Sequence, residues 1–111
     1  MKKLSIFAFS FFLLTSLHIF SEDRSIIIDV RTESEWIEGH LDSAIHLPIA
    51  NFESSLPMLN EFKDHKIYLY CAAGRRAEIA RNILVKAGFT NVTNAGGMND
   101  ASKLLDSEII Q

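Results

Sequence analysis

The chain has a single cysteine, Cys71, and that scarcity excludes more chemistry than any other feature. With no second cysteine there is no internal disulfide and no C-x-x-C couple, so thioredoxin-type dithiol exchange is ruled out. Neither G-x-G-x-x-G nor a G-K-[ST] ending occurs, which removes the nucleotide phosphate loops. The histidines, His18, His40, His46 and His65, form no i, i+4 pair and have no cysteine nearby, so no metal-ligand pattern is present. No His or Asp flanks Cys71, and a Cys-His protease arrangement has no support. Positive charge is also in deficit, 11 Lys+Arg against 14 Asp+Glu, which argues against nucleic acid as a partner. There is no internal repeat, linker or low-complexity tract.

At 111 residues the chain holds one domain. Its start stands apart. Met1-Lys2-Lys3 is basic, Leu4 to Phe20 is almost wholly apolar, and Ser21-Glu22-Asp23-Arg24 turns abruptly polar. That order of basic, apolar and polar regions reads as a secretory signal over residues 1–21, with 22–111 as the exported domain. The alternative is an uncleaved anchor, since the apolar run lies at the bottom of the membrane-spanning range. Cleavage removes Lys2 and Lys3 but no acid, so Lys+Arg falls from 11 to 9 and the net charge moves from −3 to −5. The expected location is periplasmic or secreted, with no stable membrane insertion once the leader is gone.

Beyond the leader, strands and helices alternate, which predicts an α/β domain with a mainly parallel sheet flanked by helices. Ser25 to Val30 is a near-continuous β-branched run, the signature of a strand buried on both faces. Asp29 near its end is a partly buried acid with Arg31 as its partner. Thr32 and Glu35 form a capping box that opens a short helix ending at Gly39, with Trp36 as a core anchor and Glu33, Glu35 and Glu38 solvated. Ala44 to Leu47 is a second strand, stopped by Pro48. Asn51 to Phe62 has near-helical apolar spacing broken at Pro57, and Lys66 to Tyr70 is a third strand. A helix from Arg75 buries Ile79, Ile83 and Leu84 and closes at Gly88. Asn91 to Asn94 is a fourth strand, and a terminal helix over Met98 to Ile110 turns Leu104 and Leu105 inward.

Cys71 falls where the third strand gives way to its helix, in Tyr70-Cys71-Ala72-Ala73-Gly74-Arg75-Arg76-Ala77. A tight loop at that junction points successive N–H groups inward, and the helix N-terminus adds partial positive charge. Both favour a thiolate, the nucleophilic form of cysteine. Arg75 and Arg76 place two cations beside it in an otherwise acidic domain. An arginine fork matches a divalent oxyanion.

Four blocks carry a family resemblance: Asp29-Val30-Arg31; Glu38-Gly39-His40-Leu41 leading to Ala44-Ile45-His46-Leu47-Pro48; Cys71 to Ala77; and Asn94-Ala95-Gly96-Gly97-Met98. In this order they resemble the rhodanese (thiosulfate sulfurtransferase) family in its small, single-domain, exported form. The resemblance implies a sheet of about five parallel strands between helices. It also implies Cys71 as the catalytic, sulfur-carrying nucleophile, with Ala72, Ala73, Gly74, Arg75, Arg76 and Ala77 as the substrate cradle. A small anionic sulfur donor, a thiol or cyanide acceptor, and no metal or other cofactor follow from it. Ser43 departs from the family, which usually has Gly just before the Ala, and the departure bears on the local turn. Phosphatases and arsenate reductases resemble C-x5-R, but the residue six positions after Cys71 is Ala77. A third reading, a non-catalytic sulfur-carrier or interaction module, is less favoured because such modules commonly lose the cysteine.

Overall fold

The structure is a computed structural model and describes residues 25–111. The leader expected over residues 1–21 lies outside the described residues. The elements in chain order are β1 (Ser25–Asp29), α1 (Glu33–Glu38), β2 (His40–Leu41) and β3 (Ile45–His46). A 3-10 segment (Ile49–Ser55), α2 (Leu56–Leu59) and a 3-10 turn (Asn60–Phe62) follow. Then come β4 (Lys66–Cys71), α3 (Arg75–Lys86), β5 (Val92–Gly97), α4 (Met98–Leu105) and β6 (Ile109–Ile110).

The main sheet has the order β3-β1-β4-β5 and every pairing in it is parallel. These are the four strands read from the residues. Among the described residues no fifth parallel strand joins them; β2 and β6 instead form a small antiparallel ribbon, pairing His40 with Ile110 and Leu41 with Ile109. Side chains alternate across β4, as strand geometry requires. Ile67, Leu69 and Cys71 enter one core with Ile28, Phe52, Leu59, Ala77, Ala80 and Leu84. Tyr70 enters the other with Ile27, Leu41, Ala95 and Ala101. The cysteine therefore points to the α3 side of the sheet.

The helices correct several expectations. On α3 the buried stripe is Ala77, Ala80 and Leu84, with Ile83 packed against it, and Ile79 is 53% exposed. Two alanines lie innermost, and Ile79 stands outside the face they define. The terminal helix stops at Leu105, because Asp106 takes a left-handed conformation (φ 50°) and the chain turns back. Ser102 Oγ donates to Ser107 O across that turn, at 2.6 Å. The β-branched pair Ile109–Ile110 then extends as a strand, the conformation such side chains favour. Met98, Ala101 and Leu105 face the sheet, and Leu104 is exposed. Pro57 lies in the first turn of α2, where a missing N–H costs nothing. Ser43 needs no glycine geometry: its φ is not positive, and the turn closes with Ala44 N–H donating to Leu41 O.

Helix α1 buries none of its residues. Its capping box forms as the sequence indicates, with Thr32 Oγ1 accepting from Glu35 N–H and Glu35 accepting from Thr32 N–H. Trp36 is not a core anchor. Its ring stacks on His40, with centroids 3.5 Å apart, and on His46 at 4.7 Å. Three flat rings cover one another in place of burial. His40 Nδ1 donates to Trp36 O, which satisfies a terminal carbonyl of the helix.

At the C-terminal edge of β1, Asp29 and Arg31 form a buried ion pair with NH2–Oδ2 at 2.8 Å. Asp29 Oδ1 also accepts from Arg31 N–H at 2.9 Å. Arg31 NH2 reaches Gly39 O at 2.6 Å, and its guanidinium lies over the Tyr70 ring. Replacing Arg31 with Ala leaves a fully buried carboxylate unpaired. Urea unfolding is expected to show a loss of about 3–5 kcal/mol, whereas a change below about 1 kcal/mol would mean that the pair holds nothing in place.

Candidate active site

Strand β4 delivers Cys71 to the sheet edge, and the loop Ala72-Ala73-Gly74 carries the chain into α3. Gly74 sits at the helix N-cap with φ +95°, a conformation that side chains resist. That backbone turn brings Gly74 N–H to within 3.0 Å of Cys71 Sγ. Cys71 is 1% exposed, and burial alone would push its thiol up. The N–H groups of Ala77, Ala73, Gly74 and Arg76 outweigh that penalty and hold the thiol below its ordinary value. A cysteine stabilised as its anion by fixed donors is a ready nucleophile.

Strand β5 braces the loop from behind. Asn94 Nδ2 donates to Gly74 O at 2.9 Å, and its Oδ1 accepts from Gly96 N–H at 2.9 Å. The β4–β5 register shifts here, Leu69 opposing Asn94 but Cys71 opposing Gly97, so β5 carries an extra residue beside the cysteine. At Gly97 a Cβ would stand 2.5 Å from Ala72 O, closer than atoms tolerate. Asn94 and Gly97 therefore belong to the cradle, and the sequence hinted at them only as part of a family block.

The two arginines part company. Arg76 makes a two-pronged pair with Glu35 of α1, NH1–Oε1 at 2.8 Å and NH2–Oε2 at 3.0 Å. That hydrogen bonding is the main reason the Glu35 carboxyl falls to about 2. Its contribution to stability is complete above the ordinary carboxylate range and is lost as pH falls through that range towards 2. The Arg76 guanidinium is held in its charged form by Glu35 first and by Cys71 beyond it. Glu35 was read from the sequence as a solvated capping residue. Its second partner lies 41 positions away, a separation no local pattern reports. Arg75 is exposed and makes no ion pair among the described residues.

Cys71, Ala72, Ala73, Arg75, Arg76 and Ile79 line an open depression of about 390 Å³. Ala72 and Ala73 are exposed at its surface; Ala77 is fully buried and contributes only backbone. Ile79, expected in the core, is thus part of the wall.

A family model described as "Rhodanese-like domain" matches residues 16–103. The chain is 33% identical over 88 residues to thiosulfate sulfurtransferase PspE of Escherichia coli K12, covering 79% of this chain and 83% of that one. It is 36% identical over 81 residues to the putative sulfur carrier protein YrkF of Bacillus subtilis, covering 72% of this chain but 43% of the relative. A tRNA uridine(34) hydroxylase of Sodalis glossinidius is 36% identical over 80 residues, and this chain spans only 23% of its length. Among solved structures, a rhodanese with anions from E. coli superposes with a TM-score of 0.65 at 32% identity, over 69% of this chain and 91% of that one.

The cradle sets an expectation for the thiol. Iodoacetamide alkylation against pH should show a midpoint clearly below the roughly 8.5 of a free cysteine. Gly97→Ala, which forces the loop off β5, should raise that midpoint and cost about 1–3 kcal/mol of stability. A wild-type midpoint at or above 8.5 would contradict the donor arrangement.

Proposed function

The chain belongs to the rhodanese-like domain family, and on that premise we propose that it is a sulfurtransferase. It moves a sulfane sulfur from thiosulfate or a similar donor to cyanide or a thiol through a persulfide on Cys71. The observation that carries this reading is the convergence of backbone donors on a lone, buried cysteine whose thiol they hold below its ordinary value.

In the first step the Cys71 thiolate attacks the outer sulfur of the donor. A sulfur–sulfur bond forms, the donor's own sulfur–sulfur bond breaks, and sulfite leaves with the electron pair. The persulfide that remains is itself anionic. Preorganised N–H groups aimed at developing charge are worth about 2.7–4 kcal/mol each in comparable oxyanion sites. In the second step an acceptor attacks the outer sulfur, and Cys71 departs as a thiolate. The donors that stabilise it for attack also make it a good leaving group. One cradle therefore serves both halves of the cycle.

A phosphatase fits less well. Its loop needs an arginine six positions past the cysteine, and Ala77 there is buried with no charge to offer. The expected leader supports an exported enzyme: sequencing the mature N-terminus from the native host should read from near Glu22. Met1 retained in a membrane fraction would point to an anchored form.

Incubation with thiosulfate should add the mass of one sulfur atom to Cys71, and cyanide should remove it as thiocyanate. Cys71→Ser should abolish both, since a serine alkoxide is neither accessible nor soft enough at neutral pH. Turnover that survives in Cys71→Ser would overturn the assignment.

A further inference from the structure

Both terminal nitrogens of Arg76 are committed to Glu35. An ionised carboxylate in that geometry offsets the arginine's charge as felt from the depression. Arg75 then supplies the uncompensated cation among the residues that line it. The rest of the lining is apolar: exposed Ala72 and Ala73, and Ile79, half-exposed one turn along α3 from Arg75 and Arg76. The volume, about 390 Å³, falls within the span of sites that hold small organic molecules. Beyond the backbone donors around Cys71, a compact dianion would meet only one uncompensated cation and leave the apolar wall in contact with water. A singly charged donor with an organic substituent matches both features.

We propose that Glu35 is a specificity-determining residue, which holds Arg76 in place and tunes the site to monoanionic sulfane donors of the type R–SO2–S⁻ or R–S–S⁻. This rests on the sulfurtransferase reading and names its substrate class. With a thiosulfonate the Cys71 thiolate attacks the outer sulfur, the S–S bond to the sulfonyl group breaks, and R–SO2⁻ leaves with the electron pair. One negative charge enters with the donor and one departs with the sulfinate. The organic group rests on Ile79, and the sulfonyl oxygens face Arg75.

Glu35→Gln isolates the charge, because Gln at this helix position also completes a capping box and so preserves α1. The probes are thiosulfate and benzenethiosulfonate, and the readouts are persulfide mass and kcat/KM for each. The wild type is expected to prefer benzenethiosulfonate. In Glu35→Gln that preference should fall about threefold to tenfold, because a dianion gains more than a monoanion when a negative charge is removed. Glu35→Asp, which keeps the charge, should retain the wild-type ratio. The proposal is overturned if the wild type prefers thiosulfate, if Glu35→Gln lowers both donors equally, or if Glu35→Asp shifts the ratio as far as Glu35→Gln. Absence of a Cys71 persulfide with either donor would instead overturn the sulfurtransferase reading and this assignment with it. A persulfide that forms while the ratio stays fixed overturns the role of Glu35 alone.

Discussion

The buried pair of Asp29 and Arg31 is the constraint on which the functional edge of the sheet depends. Asp29 ends a central strand, fully enclosed, where an unpaired carboxylate would be prohibitively costly. Arg31 answers it and also reaches Gly39 O, just past the end of α1. His46 Nε2 donates to Arg31 O, which draws in β3, and the guanidinium over Tyr70 draws in β4. Tyr70 OH in turn accepts from Leu41 N–H, at 3.0 Å, so β2 is fixed by the same group. Such a pair adds little net stability over apolar packing, but it penalises every arrangement that separates the partners. The arrangement it selects is the one that sets α1 across from the cysteine loop and Glu35 within reach of Arg76.

On the opposite flank, the loop is held by shape. Asn94 bridges Gly74 and Gly96, and Gly97 lets Ala72 O approach so closely that no side chain fits. The donors around Cys71 are therefore fixed before any substrate arrives, and no reorganisation is needed when charge develops on sulfur. The mouth above them is open and lined by two alanines, two arginines and one isoleucine. A stiff floor under an open mouth separates the backbone donors around the cysteine from the side chains of Arg75, Arg76 and Ile79 that line the opening.

Local patterns in the sequence report the parts of this design that local physics produces. The apolar run of β1, the capping box at Thr32 and Glu35, and the strand-loop-helix around Cys71 each follow from neighbours within a few residues. So does the pairing of Asp29 with Arg31, two positions apart. What the sequence conceals is contact across distance. Glu35 looks like a capping residue and nothing more until α3 is placed beside it. Trp36 looks like core because it is large and apolar, yet two histidines from other elements cover it. Ile109 and Ile110 continue a helical apolar rhythm on paper, and only the pairing with His40 and Leu41 on β2 converts them to a strand. At Ile79 a large side chain was assumed to face inward, where alanines lie closer to the sheet.

The stack on Trp36 has an optical corollary. It is the chain's only tryptophan, so the intrinsic emission of the molecule originates beside His40 and His46. A protonated imidazole in face contact is an efficient quencher of an excited indole, whereas a neutral one quenches weakly. Trp36 also adjoins Glu35 on the same short helix, so any shift of that helix relative to β2 and β3 alters the overlap of the rings. The molecule thus carries its own fluorophore one residue from the partner of Arg76, and the setting of α1 against β2 and β3 is reported by light without a label.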